Sequence, residues 1–206
     1  YWQAGRHEEL ERSYQKAIAK SPRDISLRLS YINSLSATGR DETAQHQLDQ
    51  ALSIETTAAL LHVQGRLAAN QLDYRRAQVA FTKALGQAFD LRTAQDLVRV
   101  HISQANYDLA QAILDRLFSY APLNQLTWAL QWLCWRLQGD ERHQWLIDYE
   151  DHIGVFTLPV PVGYSNLADF LDELKSVLLG MHRAQVAPSQ QTLKSGTQTP
   201  GRLLQK

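Results

Sequence analysis

The helical character of this chain is clearest in the segment Asp73-Tyr74-Arg75-Arg76-Ala77-Gln78-Val79-Ala80-Phe81-Thr82-Lys83-Ala84-Leu85. Ala77, Phe81 and Ala84 are spaced i, i+4 and i+7, so they lie on one face of a helix. Two alanines around one large ring make a surface against which another helix can pack closely. Tyr74 precedes this face and can cover its end. The same face recurs along the chain, which predicts an array of helical repeats.

The repeat length follows from superimposing the sequence on itself. Equivalent residues recur 33 or 34 positions apart, as in Gly5 and Gly39, Ala17 and Ala51, Tyr74 and Tyr107, and Ala77 and Ala110. A period of about 34 with two helices per unit is typical of a tetratricopeptide repeat solenoid. Each unit of such a solenoid is a helical hairpin that buries its inner face only by stacking on its neighbours.

Four successive units resemble the tetratricopeptide family. The residues that carry the resemblance are Gly5, Leu10, Tyr14, Ala17 and Pro22 in the first unit; Gly39, Ala44, Leu48 and Ala51 in the second; Gly65, Ala68, Tyr74, Ala77, Phe81 and Ala84 in the third; and Leu97, Tyr107, Ala110, Leu114, Leu117 and Pro122 in the fourth. The glycines at the turns tolerate positive φ, and the prolines end helices. The resemblance implies an all-α fold, a right-handed superhelix of stacked helical hairpins. We predict that this array covers residues 1–123.

A fifth hairpin is predicted for residues 124–152. Its first helix carries a stripe of tryptophans at helical spacing: Trp128, Trp132 and Trp135. Exposed, these rings would be an interaction hot spot, but such a stripe is more often core, and we favour the core interpretation. After a turn at Gly139-Asp140, the second helix, predicted for residues 141–151, lacks the small-large-small face. The array therefore ends or changes character here.

The sequence pattern changes after Ile153. Residues 154–161 are predicted to be extended, because Pro159 and Pro161 exclude a helix and suit an edge strand. One long helix follows, capped by Ser165 or Asn166. Its apolar stripe comprises Leu167, Phe170, Leu171, Leu174, Val177, Leu178 and Met181. We assign residues 153–187 to this extended segment and helix, leading to a domain absent from the chain, and residues 188–206 to an irregular, polar tail.

The composition limits the classes of partner. The chain has 206 residues with 21 basic and 21 acidic side chains, so its formal net charge is zero. This balance gives no electrostatic reason to expect a nucleic acid or an anionic membrane as partner. No apolar run approaches the roughly 18 residues that a membrane-spanning helix needs. A single cysteine, Cys134, excludes a disulfide framework and favours a reducing compartment, so we expect a cytoplasmic protein.

Short motifs recur through the C-terminal third: Asp148-Tyr149-Glu150, Val160-Pro161-Val162-Gly163-Tyr164, His182-Arg183 and Ser195-Gly196-Thr197-Gln198-Thr199. Together they resemble a family of bacterial 2-oxoglutarate- and Fe(II)-dependent oxygenases in which tetratricopeptide repeats precede the oxygenase domain. The Gly-Thr-Gln-Thr motif and the leucine-rich helix before it are the most specific parts of this resemblance.

The resemblance implies chemistry that we do not assign to this chain. Such oxygenases bind iron through two histidines and one carboxylate, and the first two ligands form a His-x-Asp or His-x-Glu sequence. Here the only such sequence is His7-Glu8-Glu9, in a predicted repeat turn. We therefore assign no catalytic residues, no metal ligands and no cofactor, and we expect Fe(II) and 2-oxoglutarate to belong to a longer parent protein. A start at Tyr1 without an initiator methionine also suggests a longer parent.

A candidate peptide groove is formed by the first helix of each hairpin. Asn33, Arg66 and Arg99 are spaced by 33 residues and are expected to stack. Their neighbours on the same side are His62, Asn70, Arg92 and Gln95. Guanidinium groups one unit apart suit a carboxylate or an acidic extended peptide, because each can donate to two oxygens at once. The alternative is a solvated polar face without a dedicated ligand.

Two functional hypotheses follow from the sequence. In the first, the chain is the protein-interaction segment of a 2-oxoglutarate-dependent oxygenase, and its repeats recruit or orient a protein partner. In the second, it is a free-standing tetratricopeptide adaptor that binds an acidic or C-terminal peptide. The two differ in whether the open reading frame continues past Lys206 into a strand-borne His-x-Asp and a distant histidine. Neither specifies an oligomeric state.

Overall fold

The computed structural model describes residues 6–183 and 196–199. Every regular element in this part of the chain is helical, which confirms the all-α class. The helices are α1 (His7–Lys20), α2 (Ile25–Ala37), α3 (Asp41–Ile54), α4 (Ala58–Asn70), α5 (Tyr74–Gln87), α6 (Leu91–Ser103), α7 (Tyr107–Tyr120), α8 (Gln125–Gln138), α9 (Arg142–Leu146), α10 (Tyr149–His152) and α11 (Leu167–Met181).

The chain divides into two compact units. One is Ser21–Ile153, which contains α2 to α10, and the other comprises Tyr1–Lys20 and Gly154–Lys206. The boundary at Ile153 coincides with the predicted change of character. The sequence placed α1 in the repeat array, whereas this division groups it with the C-terminal residues. The remaining predicted boundaries stay predictions.

Polar caps set the register of the hairpins in the unit Ser21–Ile153. The first helix of each hairpin begins after a side chain that accepts a hydrogen bond from the backbone N–H three residues further on. The four caps are Asp24, Thr57, Asp90 and Asn124. Each satisfies an N–H that would otherwise have no partner within the helix. The start of each hairpin is therefore encoded locally.

A left-handed residue ends the first helix of every hairpin. The four residues and their φ angles are Gly39 (72°), Leu72 (62°), Ala105 (57°) and Gly139 (73°). In each case the next residue donates its backbone N–H to a carbonyl five positions back, as in a Schellman motif. The predicted turn glycines Gly39 and Gly139 are confirmed. Leu72 and Ala105 adopt the same conformation at a cost of about 1–2 kcal/mol each, because their Cβ approaches the following carbonyl.

Replacing Leu72 by glycine should stabilise the protein. Glycine removes the backbone strain, and the Leu72 side chain is 71% exposed, so little apolar burial is lost. After subtracting the greater freedom of glycine in the unfolded chain, we expect a gain of up to about 1 kcal/mol in the free energy of unfolding. Urea unfolding followed by circular dichroism measures it. Gly39→Ala is the matched control and should be destabilising, since no atom lies within 4 Å of the added Cβ and only the backbone resists. A shift of the same sign in both variants would contradict this account.

The second helices of the hairpins bury the predicted small-large-small faces. These are Ala44, Leu48 and Ala51 on α3; Ala77, Phe81 and Ala84 on α5; and Ala110, Leu114 and Leu117 on α7. Phe81 packs in a cluster with Ala68 of α4 and Leu97 of α6, so α5 joins its own hairpin to the next. A Cβ added to Gly65 would lie 2.5 Å from the Phe81 ring, which shows how closely α4 and α5 approach. The predicted register of the array is confirmed.

The fifth hairpin departs from the prediction in its second half. Instead of one helix over residues 141–151 there are two short helices, α9 and α10, separated at Ile147 and Asp148. The Asp148 carboxylate accepts hydrogen bonds from the N–H groups of the two residues at positions 150 and 151, so it starts a new helix rather than continuing the previous one.

The tryptophans of α8 are mainly structural. Trp135 is buried. Trp128 is half-buried, its ring centroid lies 4.5 Å from that of Phe118, and its indole N–H donates to the Pro122 carbonyl at 2.8 Å. The core interpretation therefore holds for these two rings. Trp145, which follows on α9, remains exposed.

The second unit contains α1, an irregular stretch and α11. Residues 154–161 have no regular structure, so the predicted extended segment does not pair as a strand with any described residue. Asn166, not Ser165, caps α11 by accepting the backbone N–H of Asp169 at 3.0 Å. The apolar stripe of α11 forms as predicted, but none of its side chains is fully buried. Most of the predicted tail, residues 188–206, lies outside the described residues.

Candidate functional site

The stacking predicted for the candidate groove occurs between the first two hairpins. Asn33 and Arg66 each lie nine residues after the cap of their helix, so they are at the same height on α2 and α4. The Arg66 guanidinium donates to Asn33 Oδ1 at 3.2 Å. Burial lowers the pKa of Arg66, an effect that Asp96 opposes and Arg92 adds to. Arg66 is therefore a partly desolvated cation.

A buried carboxylate that the sequence did not identify joins the next two hairpins. Asp96 on α6 is 9% exposed. Its Oδ2 lies 2.9 Å from Nε2 of His62, and its Oδ1 accepts from Arg99 at 2.7 Å. Burial alone would raise the pKa of Asp96, but the hydrogen bond from His62 and the charges of His62 and Arg99 together lower it. The one sequence signal was the placement of Asp96 three residues before Arg99 on a helix.

A cleft of about 450 Å³ lies beside these residues. Its polar lining includes four of the predicted groove residues: Asn33, His62, Arg66 and Arg92. Asp90 and Thr93 complete the polar wall. The apolar lining is Leu29, Ala58, Ala59, Val63 and Ala88. The first helices α2 and α4 and the start of α6 therefore form a concave surface with a cationic side and a small-residue floor.

The other three predicted groove residues lie elsewhere. Arg99 is exposed but paired with Asp96, and Asn70 is exposed at the end of α4. Gln95 is 3% exposed, and its Nε2 donates to Asn124 at 2.8 Å and to Thr127 at 3.0 Å. Gln95 thus connects α6 to α8, because α8 covers the side of α6 on which its amide lies. Its assignment to an open groove is corrected.

Acid should weaken the contribution of Asp96 to stability. Because its pKa is lower in the folded chain, the ionised carboxylate stabilises the fold fully above its ordinary pKa of about 4, and that contribution disappears as the pH falls through the folded pKa. Asp96→Asn should lower the free energy of unfolding by about 1–3 kcal/mol at pH 7, and by much less at pH 3. Urea unfolding at both pH values measures this. Asp49→Asn, at an exposed position on α3, should change little at either pH. An Asp96→Asn deficit that is equal at both pH values would contradict the assignment.

The Gly-Thr-Gln-Thr motif contacts the end of α11. His182 Nδ1 lies 2.7 Å from the Thr199 hydroxyl, and its Nε2 lies 2.6 Å from the Thr197 hydroxyl. Two separate parts of the oxygenase-like sequence therefore meet in the second unit. Beside them is a cleft of about 550 Å³ whose apolar lining comes from the leucines of α11.

Residues 6–183 and 196–199 were also searched for metal and membrane sites. No three His, Cys, Asp or Glu side chains in these ranges lie close enough together to hold a metal ion. The donor set of an iron centre is therefore not present there, and no oxygenase step is assigned to these residues. None of the described helices combines the length and apolar character that crossing a membrane requires.

Comparison with known proteins identifies the class of fold. No protein-family model and no curated protein match the chain. Among solved structures, a crystal structure of MamA matches with a TM-score of 0.59 and 17% identity over 68% of this chain and 83% of that chain. A second MamA structure matches with a TM-score of 0.59 and 15% identity over 76% of this chain and 91% of the other.

A chain in the structure of Naa15/Naa10 bound to HypK-THB is also similar. Its TM-score is 0.52 at 19% identity, over 86% of this chain and 26% of that chain. At these identities the similarities show the fold alone. Together with the repeat of paired helices and turns described above, they define a helical-repeat protein of the tetratricopeptide type.

Proposed function

We propose that the unit Ser21–Ile153 is a protein-interaction module that binds an extended acidic peptide in the cleft between α2, α4 and α6. The observation that carries this proposal is the placement of Arg66 and Arg92 on one side of a cleft with a small-residue floor. A solvated face would not require a guanidinium to be partly desolvated, whereas a binding site that supplies a carboxylate would compensate that cost. The solved Naa15/Naa10 complex with HypK-THB supports a protein as the class of partner.

The cleft is tested by removing its positive charges. A pool of acetylated, amidated octapeptides with one Asp or Glu each serves as probe, and fluorescence anisotropy gives the affinity. Arg66→Gln with Arg92→Gln should weaken binding at least about tenfold, because each arginine can make a charge-assisted hydrogen bond to the carboxylate.

The matched control makes the same change in net charge elsewhere. Arg75→Gln with Arg76→Gln alters two exposed arginines at the start of α5, outside the cleft lining, and should leave the affinity unchanged. Equal losses in the two double variants would indicate unspecific electrostatic attraction. Unchanged affinity in the Arg66 and Arg92 variant would exclude the cleft as the site.

We further propose that this module serves a 2-oxoglutarate- and Fe(II)-dependent oxygenase, with the metal and cosubstrate bound by other parts of a longer protein. The observation that favours this parent is the contact of His182 with both threonines of the Gly-Thr-Gln-Thr motif. The rival proposal is a free-standing adaptor. The single cysteine, Cys134, is a buried free thiol, which supports a reducing location such as the cytoplasm for either.

The parent is tested with the full open reading frame. We expect it to continue past Lys206 into a strand-borne His-x-Asp and a distant histidine. The purified full-length protein should decarboxylate 2-oxoglutarate when Fe(II) is added and stop when a chelator removes the iron. A frame that ends within a few residues of Lys206 would favour the adaptor and end the oxygenase proposal.

A further inference from the structure

The charges around the cleft do not balance, and the size of the imbalance is informative. Arg66 and Arg92 contribute two positive charges to the lining, and Asp90 contributes one negative charge. Asp96 does not add to this balance, because Arg99 and His62 hold its two oxygens. The cleft lining is therefore left with a net charge of plus one. One carboxylate would neutralise it.

The acidic member of the lining is held in a fixed position. Asp90 caps α6, and its Oδ2 accepts both the backbone N–H and the hydroxyl of Thr93 at 2.7 Å. Burial would raise the pKa of Asp90, but the hydrogen bonds from Thr93 and the charges of His62 and Arg92 lower it. A second acidic group on the ligand would therefore meet an ionised carboxylate that cannot turn away without releasing the helix start.

The cationic member is placed to receive a carboxylate. The hydrogen bond from Arg66 to Asn33 uses one of the five N–H donors of its guanidinium, which leaves donors for a ligand. The opposite wall of the cleft consists of small side chains, Ala58, Ala59 and Ala88, with Val63 beside them. Such a floor leaves room for one short aliphatic side chain next to the carboxylate and offers no polar partner to a larger polar one.

We propose that the cleft recognises a single carboxylate beside a small aliphatic side chain, rather than a run of acidic residues. This inference rests on the proposed peptide-binding function and specifies its ligand class. The carboxylate can come from an internal Asp or Glu or from a chain terminus, and the same chemistry would hold either.

Matched peptides test the ligand class. The reference is an acetylated, amidated heptapeptide, Gly-Ser-Val-Asp-Val-Ser-Gly. Asn in place of its Asp should lower the affinity about tenfold or more, and Ser in place of both Val residues should also lower it. A peptide with Asp-Asp in place of Asp-Val should bind no more tightly than the reference. An amidated and a free-acid peptide ending in Val, both without Asp, tell whether a chain terminus can supply the carboxylate.

The variant Asp90→Asn tests the role of the fixed acid. Asn caps helices about as well as Asp, so the start of α6 should be preserved while the negative charge is removed. In this variant the Asp-Asp peptide should bind about threefold or more tightly than the single-Asp reference, which reverses the wild-type order. Thermal unfolding checks that the variant is folded.

The outcomes separate the inference from the function on which it rests. If acidic peptides bind through Arg66 and Arg92 but the wild type prefers Asp-Asp by about tenfold, the single-carboxylate inference is wrong and the peptide-binding function stands. An Asp90→Asn variant with the wild-type order of affinities would also overturn the inference. If neither wild type nor variant binds any acidic peptide, the proposed function itself fails.

Discussion

Ala77→Arg is expected to unfold the unit Ser21–Ile153 at room temperature. Ala77 is 0% exposed and packs among the apolar side chains of three successive helices, including Ala68 on α4 and Leu97 on α6. A guanidinium at this position would lack a partner for its charge and would have to displace well-packed neighbours. The unpaired buried charge and the overpacking together cost several kcal/mol, about 5 or more, which is comparable to the whole stability of a typical domain. Far-ultraviolet circular dichroism and urea unfolding measure the result.

Val79→Arg is the matched control for this change. It introduces the same side chain on the same helix, two residues away, at a position that is 50% exposed. Its effect should stay within about 0.5 kcal/mol, as for most surface substitutions. If the two arginine variants melted at the same temperature, the face of α5 that carries Phe81 would not be the one that joins the hairpins.

The features of the fold that could be predicted from sequence are those that each repeat encodes within itself. The face of α5 and its recurrence on α3 and α7 depend on spacing alone, and the glycines at positions 39 and 139 mark turns because of their own backbone freedom. Leu72 and Ala105 could not be identified as left-handed residues in this way. Their conformation is imposed by the packing of the flanking helices, which overrides the local preference.

The candidate site shows the same limit. The contact between Asn33 and Arg66 could be predicted, because a repeat that translates by one unit brings equivalent positions together. The pairing of Asp96 with His62 could not, because these residues are not equivalent in their repeats. Gln95 was misplaced for a related reason. Whether a polar residue of α6 faces solvent or α8 depends on the rotation between successive hairpins, which periodicity does not reveal.

Gly65→Ala should be destabilising although it replaces a glycine inside a helix. In an open helix interior this change is normally stabilising by about 0.5–1 kcal/mol. Here the new Cβ would lie 2.5 Å from two atoms of the Phe81 ring, and Phe81 is itself fully enclosed. We expect a net loss of about 1–3 kcal/mol from overpacking, measured by urea unfolding. Gly86→Ala on α5, where no atom lies within 4 Å of the added Cβ, is the control and should show the normal gain.

A second substitution shows whether the Phe81 ring is the cause. The neighbouring hairpins fill the equivalent space with two medium-sized side chains, Ile32 with Leu48 and Val98 with Leu114, instead of none with a large ring. Phe81→Leu should therefore restore much of the stability that Gly65→Ala removes, so that the double variant is more stable than the sum of the single effects implies. A purely additive double variant would mean that the cost arises elsewhere. Coupling of about 1 kcal/mol or more would show that each hairpin conserves the combined volume at this contact rather than either residue.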